Sequence, residues 1–426
     1  MLVNPPAEPS EASLAGSVRT RPSTAIAPPE PGLTPAGMLA RAVALRPLLT
    51  SRQAVCEAEG RVSDEVNAEL VKAGLYRIVQ PRRFGGYEFD VPTFYKVMME
   101  VARGCPETAW VLALTAGHPL LLAAFPEQAQ IEAYGQDGEF RCPASFNPPG
   151  SAAPSEGGYL ISGAWVSASG IDIGTHFIGM ALVRGEEGSP PSPIQMILER
   201  SQFEIVDDWR VMGMQGTGSR RVEARDVFVP HHRTVAVIGA QRGAQAIPAA
   251  RLYDNPMYQG RIQPFLIGEA TAVAVGAARG ALDLYEQSLA GKKSIFPPYL
   301  ERREDPEFQR HYGHALALVS TAEAALVRAG EEFMDYAREA AEGGAAFDEG
   351  REHRLTLIEQ QAVRLAWEAV ELIFRTAGTS ASARQDAAIG RIFRNLAVIN
   401  THPALQLDRT AVTAAKARFA PGPPAS

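Results

Sequence analysis

Several patterns are missing from this sequence, and each absence excludes a class of protein. The chain has only three cysteines, with no Cys-x-x-Cys pair and no cysteine and histidine spacing typical of a zinc site. No apolar run approaches the ~18 residues of a membrane span, and the net charge of -7 shows no basic excess. We therefore expect a cytoplasmic protein with reduced thiols that binds neither nucleic acid nor a membrane.

Two further absences concern cofactors. No Gly-x-Gly-x-x-Gly follows a strand and opens a helix, so the sequence predicts no built-in NAD(P)H site, and Gly216-Thr217-Gly218 is too short to count. The adjacent His231 and His232 would point to opposite faces of a strand, and no third ligand is spaced nearby. We expect no metal site.

The chain divides into four parts by composition and periodicity. Residues 1–33 are rich in Pro, Ala, Ser and Glu and are predicted to be a disordered tail. Residues 34–139 are predicted to be helical, 140–235 to form a small β-domain, and 236–426 to form a helical bundle. Helices are expected at about 34–75, 92–103, 107–124 and 127–135, and strands at 159–166, 177–183, 194–198 and 222–229.

One predicted strand carries Trp165 and ends in small hydroxyl residues, within the stretch SGAWVSASG. An indole face and short hydroxyl side chains suit a flavin ring and its polar edge. Strand alternation would place Ser167 and Ser169 on the same side as Trp165, so the three could share a ligand. Alternatively, Trp165 is a core residue, and both serines are turn residues at the strand end.

The order of helices, β-domain and helices, joined to SGAWVSASG, GMQGTGS and DVFVP, resembles the acyl-CoA dehydrogenase superfamily over roughly residues 35–418. The resemblance implies an α+β fold with an N-terminal helical domain, a central small β-domain and a C-terminal four-helix bundle. Within the superfamily the chain is most similar to the oxygenase components of two-component flavin-dependent monooxygenases, such as the p-hydroxyphenylacetate hydroxylases. The matching motifs are AGLYRIVQPRRFGG, ETAWVLALTAGHP, SGAWVSASG and GRIFRNLAVINTHPAL.

The C-terminal motif separates the two activities. Acyl-CoA dehydrogenases need a carboxylate that abstracts the substrate α-proton, but the comparable stretch here, VINTHP, contains His402 and no Glu. A histidine titrates near neutral pH and can donate or accept a proton. The resemblance implies that His402 and Ser169 lie beside a reduced flavin and stabilise its C4a-hydroperoxide with O2.

The same resemblance implies a phenol site and the remaining flavin contacts. Trp110, His118 and Ser145 match positions that hold a phenol: Trp supplies an aromatic wall, while His and Ser hydrogen-bond the phenolic oxygen. His118 could instead cap the end of its helix. Arg261 is a candidate for the anionic edge of the flavin, alongside the flavin contacts Trp165, Ser167 and Ser169.

The resemblance also implies partners. Reduced FMN or FAD would come from a separate flavin reductase, O2 would be the co-substrate, and the substrate would be a small aromatic compound. The relatives form homotetramers in which a neighbouring helical bundle completes each flavin site, and Gly378, Thr379 and Ser380 would be the contributors here.

Three other functions remain open from the sequence. The same flavin chemistry could oxygenate nitrogen or sulfur. The chain could be an acyl-CoA dehydrogenase with a relocated carboxylate, for which Glu371 or Asp386 would be the nearest residues. It could also be a binding scaffold that has lost the flavin.

Overall fold

The computed structural model describes residues 25–184, 190–236 and 247–419. Helices flank a seven-stranded sheet on both sides in sequence, which confirms the predicted α+β fold. The helices are α1 (Pro35–Glu59), α2 (Asp64–Lys72), α3 (Val91–Gly104), α4 (Pro106–Gly117), α5 (Pro119–Leu122), α6 (Glu127–Tyr134), α7 (Pro248–Leu252), α8 (Ile262–Leu289), α9 (Pro306–Ala341), α10 (Glu349–Thr376), α11 (Thr379–Ser382), α12 (Ala388–Ile399) and α13 (Leu407–Phe419).

The N-terminal helices begin where the sequence predicts but are shorter. Thr34 caps α1 by accepting a hydrogen bond from the Gly37 backbone N–H, but Gly60 in the left-handed conformation ends the helix long before residue 75. Similarly, the predicted helix 107–124 is divided between α4 and α5, because Pro119 has no N–H to continue it. His118 lies at this break, which gives its side chain a fixed place between two helices.

The strands are β1 (Ala144–Ser155), β2 (Gly158–Ala168), β3 (His176–Val183), β4 (Ser192–Glu199), β5 (Glu204–Val206), β6 (Arg220–Pro230) and β7 (Thr234–Ala236). They form one sheet in the order β5-β6-β2-β1-β3-β4-β7, in which only the β1–β3 pair is parallel. The predicted strands correspond to β2, β3, β4 and β6. A separate apolar core lies within the sheet domain, around Trp165 and Phe177.

Strand β1 was not among the strands predicted from the sequence. Its Pro148 and Pro149 are atypical of a strand, but in the structure they lie where the β1–β3 register shifts between Ser145 and Gly150. A proline cannot donate to a sheet, yet a shift in register leaves such positions unpaired. The strand therefore tolerates both prolines.

Four helices, α8, α9, α10 and α12, pack together as the C-terminal bundle. Helix α8 is long and apolar enough to cross a membrane, but 89% of its most apolar stretch is buried inside the protein. It also packs against α3 and α4 of the N-terminal part. Helix α8 is thus the central helix of the molecule, and its side chains reach both helical regions.

The predicted disordered tail is wrong for its last residues. Residues 25–33 are ordered beside the N-terminal helices: Ile26 forms a β-bridge with Phe84, and its N–H donates to the Arg83 carbonyl at 3.0 Å. The apolar Leu33 also packs against the main core. The rest of that prediction, residues 1–24, lies outside the described residues.

Candidate active site

A chain of buried polar side chains joins α4 to the end of β2 and the start of β6. The Trp110 indole Nε1 donates to the Ser169 Oγ at 3.1 Å, and the Ser169 and Ser219 hydroxyls lie 2.7 Å apart. The Ser219 and Thr217 hydroxyls lie 2.6 Å apart, and the Thr217 hydroxyl donates to the Met214 carbonyl at 2.8 Å. The structure therefore brings together Trp110 and Ser169, which the sequence predicted separately.

The direction of every hydrogen bond in this chain follows from its two ends. A carbonyl can only accept and an indole N–H can only donate. Because the Thr217 proton goes to Met214, the Ser219 proton goes to Thr217 and the Ser169 proton goes to Ser219. The Ser169 oxygen then accepts from Trp110 and keeps a free lone pair.

The loop from Gly213 to Ser219 holds this chain in place and is itself fixed from two helices. The buried Glu107 carboxyl on α4 accepts from the Gly216 N–H at 2.8 Å. The buried Asn395 amide oxygen on α12 accepts from the Met214 N–H at 2.7 Å. Since α12 leads into the turn that carries His402, the same loop ties Ser169 to the C-terminal motif.

Two cysteines that are distant in sequence meet beneath this loop. Cys56, Cys105 and Glu107 are buried, and their ligand atoms lie within 4.8 Å of one another. The Cys56 thiol donates weakly to the Gly216 carbonyl at 3.5 Å, and burial raises the pKa of Glu107 to about 8. The spacing of these residues gave no sign of the cluster, since it arises from packing between α1 and α4.

His402 lies against Trp110, with ring centroids 5.7 Å apart in an edge-on arrangement. It begins a short 3-10 turn, where its Nδ1 accepts from the Ala404 N–H at 3.3 Å. The buried Gln360 on α10 fixes this turn by donating to the Ala404 carbonyl at 2.7 Å. The residue is exposed at the surface, yet partial desolvation of the ring lowers the His402 pKa, which favours the neutral imidazole.

His118 and Ser145 are both buried. The His118 Nδ1 lies 2.5 Å from the Cys142 carbonyl, and since that oxygen can only accept, Nδ1 carries the proton. Burial lowers the pKa of His118 to about 4, so the ring is neutral and its Nε2 is an acceptor. The Ser145 hydroxyl donates to the Val166 carbonyl at 2.6 Å, which joins β1 to the end of β2.

The structure contradicts the predicted role of Trp165 as a flavin wall. Its indole is 0% exposed within the sheet core, and its Nε1 donates to the Met180 carbonyl at 2.8 Å. Gly150 and Gly163 leave room for it, since a Cβ at either would approach the indole to 2.6 or 2.7 Å. Trp165 supports β2 from behind and offers no free face.

The predicted alternation after Trp165 is also wrong, because the β2–β6 register shifts between Trp165 and Ala168 and Ser167 adopts a φ of 61°. Ser167 is therefore exposed while Trp165 is buried. Beside it, Val166 exposes 42% of its surface. An exposed apolar side chain next to a free hydroxyl fits a flavin ring, so Val166 and Ser167 would hold the cofactor that Trp165 was expected to hold.

We expect Trp165→Phe to act on stability. The substitution removes the indole hydrogen bond to the half-buried Met180 carbonyl and reduces buried volume, which we expect to cost about 1–3 kcal/mol in the free energy of unfolding. Denaturant unfolding monitored by circular dichroism measures this cost. A variant as stable as the parent but unable to bind flavin would instead restore the cofactor role.

The other predicted residues lie elsewhere. Arg261 precedes α8, where its buried guanidinium pairs with Glu352, so the expected flavin contact has no support from this arrangement. Glu371 and Asp386, the relocated carboxylates of the acyl-CoA dehydrogenase alternative, are both exposed. Gly378 is half-buried before α11, with Thr379 and Ser380 exposed beside it.

Sequence reasoning missed three residues. Thr217 and Ser219 lie within the motif GMQGTGS, but only the fold shows that their hydroxyls extend the series of hydrogen bonds that begins at Trp110 and Ser169. Glu269, whose Oε1 lies 3.8 Å from the His118 Nε2, had a detectable signal. It is the only charged residue from Ile262 to Ala278, an otherwise apolar helical stretch.

Two family models match the chain. The acyl-CoA dehydrogenase N-terminal domain matches residues 39–136, and the acyl-CoA dehydrogenase C-terminal domain matches residues 269–407. The first range contains Trp110 and His118, and the second contains His402. In sequence they precede and follow the sheet domain, after whose strand β2 Ser169 lies.

Similar individual proteins are named as flavin-dependent monooxygenases. The oxygenase subunit HsaA of a flavin-dependent monooxygenase from Rhodococcus jostii (strain RHA1) is 32% identical over 274 residues, covering 61% of this chain and 69% of the relative. The oxygenase component of an FADH(2)-dependent resorcinol hydroxylase from Rhizobium sp. (strain MTP-10005) is 30% identical over 298 residues, covering 68% of this chain and 72% of the relative. The crystal structure of 3-HSA hydroxylase from Rhodococcus sp. RHA1 superposes with a TM-score of 0.82 at 26% identity, covering 91% of this chain and 98% of that one.

Proposed function

The chain belongs to the oxygenase components of flavin-dependent monooxygenases with the acyl-CoA dehydrogenase fold, and we propose that it hydroxylates the ring of a phenol. When bound, reduced flavin supplies the electrons that activate O2, and a separate reductase supplies that flavin. Reduced FAD is our first choice, since one relative is named as FADH(2)-dependent. We place this oxygenase and its reductase in the cytoplasm, where the buried thiols of Cys56, Cys105 and Cys142 stay reduced.

The observation that carries this proposal is the meeting of Trp110 with both Ser169 and His402 just beyond the end of β2. Trp110 comes from the N-terminal helices, Ser169 from the sheet domain and His402 from the C-terminal bundle. Three parts of the chain therefore supply one aromatic wall, one hydroxyl and one imidazole around the same point. Exposed Val166 and Ser167, near the end of the same strand β2, provide the surface for the flavin ring.

His118 supplies the acceptor that a phenol requires. Its Nε2 lone pair is available because Nδ1 is committed to the Cys142 carbonyl. A hydrogen bond from the phenol to this nitrogen increases electron density on the ring, which favours attack of the ring on an oxygen electrophile. Glu371 and Asp386, the carboxylates of the acyl-CoA dehydrogenase alternative, are both exposed, whereas His118 is buried.

The test supplies chemically reduced FAD to the purified chain without a reductase, and then O2 with p-cresol, methyl phenyl sulfide or benzylamine. We expect a hydroxylated cresol, identified by mass spectrometry, in excess of what reduced FAD forms alone. A sulfoxide or N-oxygenated product without any hydroxylated phenol would overturn the proposed substrate class and favour the N- or S-oxygenase alternative.

We also propose a homotetramer. Ile295, Phe296 and Tyr299 expose 75%, 76% and 56% of their surfaces in the segment between α8 and α9, and exposed apolar groups of this size are typical of contact surfaces. Thr379 and Ser380 on α11 are free to face a neighbouring flavin site. Light scattering should give four times the 45.8 kDa chain mass, and a monomer would exclude a shared site.

A further inference from the structure

The Glu269 carboxyl is the least explained polar group in the core. Its side chain is 0% exposed on α8, and neither of its oxygens has a hydrogen-bond partner among the described residues. An unpartnered buried polar group destabilises a protein, and a charged one does so much more. Burial accordingly raises the Glu269 pKa well above its ordinary range, so the carboxyl is protonated and is a hydrogen-bond donor.

The surroundings make space for this carboxyl. Gly117 lacks a side chain where a Cβ would lie 2.1 Å from the Glu269 Oε2, so any larger residue would displace the group. The Phe265 ring lies on the same side, 3.0 Å from that Cβ position. Gly117 and Phe265 therefore leave an apolar space on one side of the carboxyl, and His118 faces its Oε1.

Glu269 and His118 form a pair of complementary neutral groups. The Glu269 Oε1 lies 3.8 Å from the His118 Nε2, which is too far for a direct hydrogen bond. Desolvation of both groups keeps both uncharged, so the contact is not an ion pair. The His118 Nε2 is an acceptor, and the Glu269 carboxyl carries a donor proton. An oxygen atom that lies about 2.8 Å from each could form a hydrogen bond with both.

We propose that Glu269 is a specificity-determining residue that selects a hydroxyl group on the aromatic substrate. The substrate O–H donates to the His118 Nε2, and its oxygen accepts from the protonated Glu269 carboxyl. A hydroxyl satisfies both groups, whereas an aryl methyl ether has no proton for His118. This inference rests on the proposed function, because it assigns the recognition of the phenol to a second residue.

The test uses the full chain loaded with reduced FAD, and compares p-cresol with its methyl ether in Glu269→Leu and Glu269→Gln. Leucine removes the donor, so we expect the KM and the Kd for p-cresol to rise about 10- to 100-fold, with binding of the ether unchanged. Glutamine keeps a donor and should restore most of the discrimination between phenol and ether. The melting temperature of E269L should be unchanged or higher, because an unpartnered polar group has been removed.

A matched control is Glu359→Gln on α10. Glu359 is also buried and has one unpartnered oxygen, but its Oε1 accepts from the Tyr95 hydroxyl at 3.3 Å, and no described contact joins it to His118. We expect E359Q to keep the parent preference for p-cresol over the ether.

The outcomes separate this inference from the proposed function. A parent enzyme that hydroxylates p-cresol, with E269L binding it within twofold of the parent, overturns the role of Glu269 alone. If E269L does not fold, the test depends on the affinity of E269Q for p-cresol relative to its methyl ether. An E269Q variant that no longer prefers p-cresol overturns the role of the Glu269 donor. A parent enzyme that neither binds nor hydroxylates any phenol overturns both.

Discussion

Replacing Ser169 by alanine should divert most of the consumed O2 from hydroxylated product to hydrogen peroxide. The Ser169 hydroxyl lies between Trp110 and Ser219, and it is the only hydroxyl in that chain directly bonded to Trp110, which also contacts His402. Because its proton goes to Ser219, Ser169 offers its free lone pair to a protonated oxygen of the ligand, and loss of one preorganised hydrogen-bond partner at a reacting oxygen typically costs about 10²-fold in rate. The measurement is the ratio of hydroxylated phenol to hydrogen peroxide per flavin oxidised, together with the rate of flavin re-oxidation.

The direction of the hydroxyl chain supplies the matched control. In the structure Ser169 donates its proton to Ser219, so Ser219→Ala frees that proton and leaves the Ser169 lone pair available to a ligand, as in the parent. We therefore expect S219A to keep coupled hydroxylation while S169A loses it. Equal loss in both variants would mean that the intact chain, and not the Ser169 hydroxyl, supports the reaction, and full coupling in S169A would contradict the role of Ser169.

The residues of this site that lie in family motifs could be predicted from the sequence. Trp110, Ser169 and His402 come from three parts of the chain; the motifs around them predicted a flavin contact for Ser169 and His402 and a phenol contact for Trp110, and only the fold shows that Trp110 touches both. The order of helices and strands was also predictable, because the apolar period changes from about four to two and back again. These features depend on local pattern or on a motif, so neither requires knowledge of the packing.

The errors arise where backbone geometry departs from a regular period. Alternation predicted that Trp165 and Ser167 share a face, but the positive φ of Ser167 turns its side chain out of the core. Prolines hid β1, since a register shift that accommodates Pro148 and Pro149 has no signature in one sequence. Ile26 was assigned to a tail because one bridge to Phe84 depends on a distant loop.

Partners of buried polar groups were the least predictable feature. Glu107 accepts from Gly216 more than a hundred residues away, and Glu269 faces His118 from another helix. The lone charge of Glu269 within an apolar helix does identify it as unusual. Its chemistry, however, depends on the absent side chain of Gly117 and on the His118 tautomer, which only the folded chain defines.

We expect His118→Leu to lower the rate of phenol hydroxylation by about 10²-fold or more, since it removes the acceptor that activates the ring. Flavin re-oxidation should continue, with hydrogen peroxide as its main product, because Ser169 and His402 remain in place. Single-turnover experiments with reduced FAD and p-cresol measure both reactions. Unchanged hydroxylation in H118L would show that the phenol binds elsewhere.

His176 provides a control with a similar proton equilibrium outside this site. Burial lowers the pKa of both His118 and His176 to about 4, whereas an unfolded histidine titrates near 6.5. The unfolded chain therefore binds more protons between these pH values. The contribution of each histidine to the free energy of unfolding is fully present above about pH 6.5 and falls as the pH drops towards 4, by at most about 1.4 kcal/mol per pH unit.

Leucine at either position should reduce this pH-dependent loss of stability, measured by urea titrations at several pH values. Only His118→Leu should also lower phenol hydroxylation about 10²-fold, because the His176 Nδ1 contacts the hydroxyl of Thr175 just before β3 and lies outside the proposed phenol site. A similar loss of activity in both variants would assign the effect to stability instead of to the phenol acceptor.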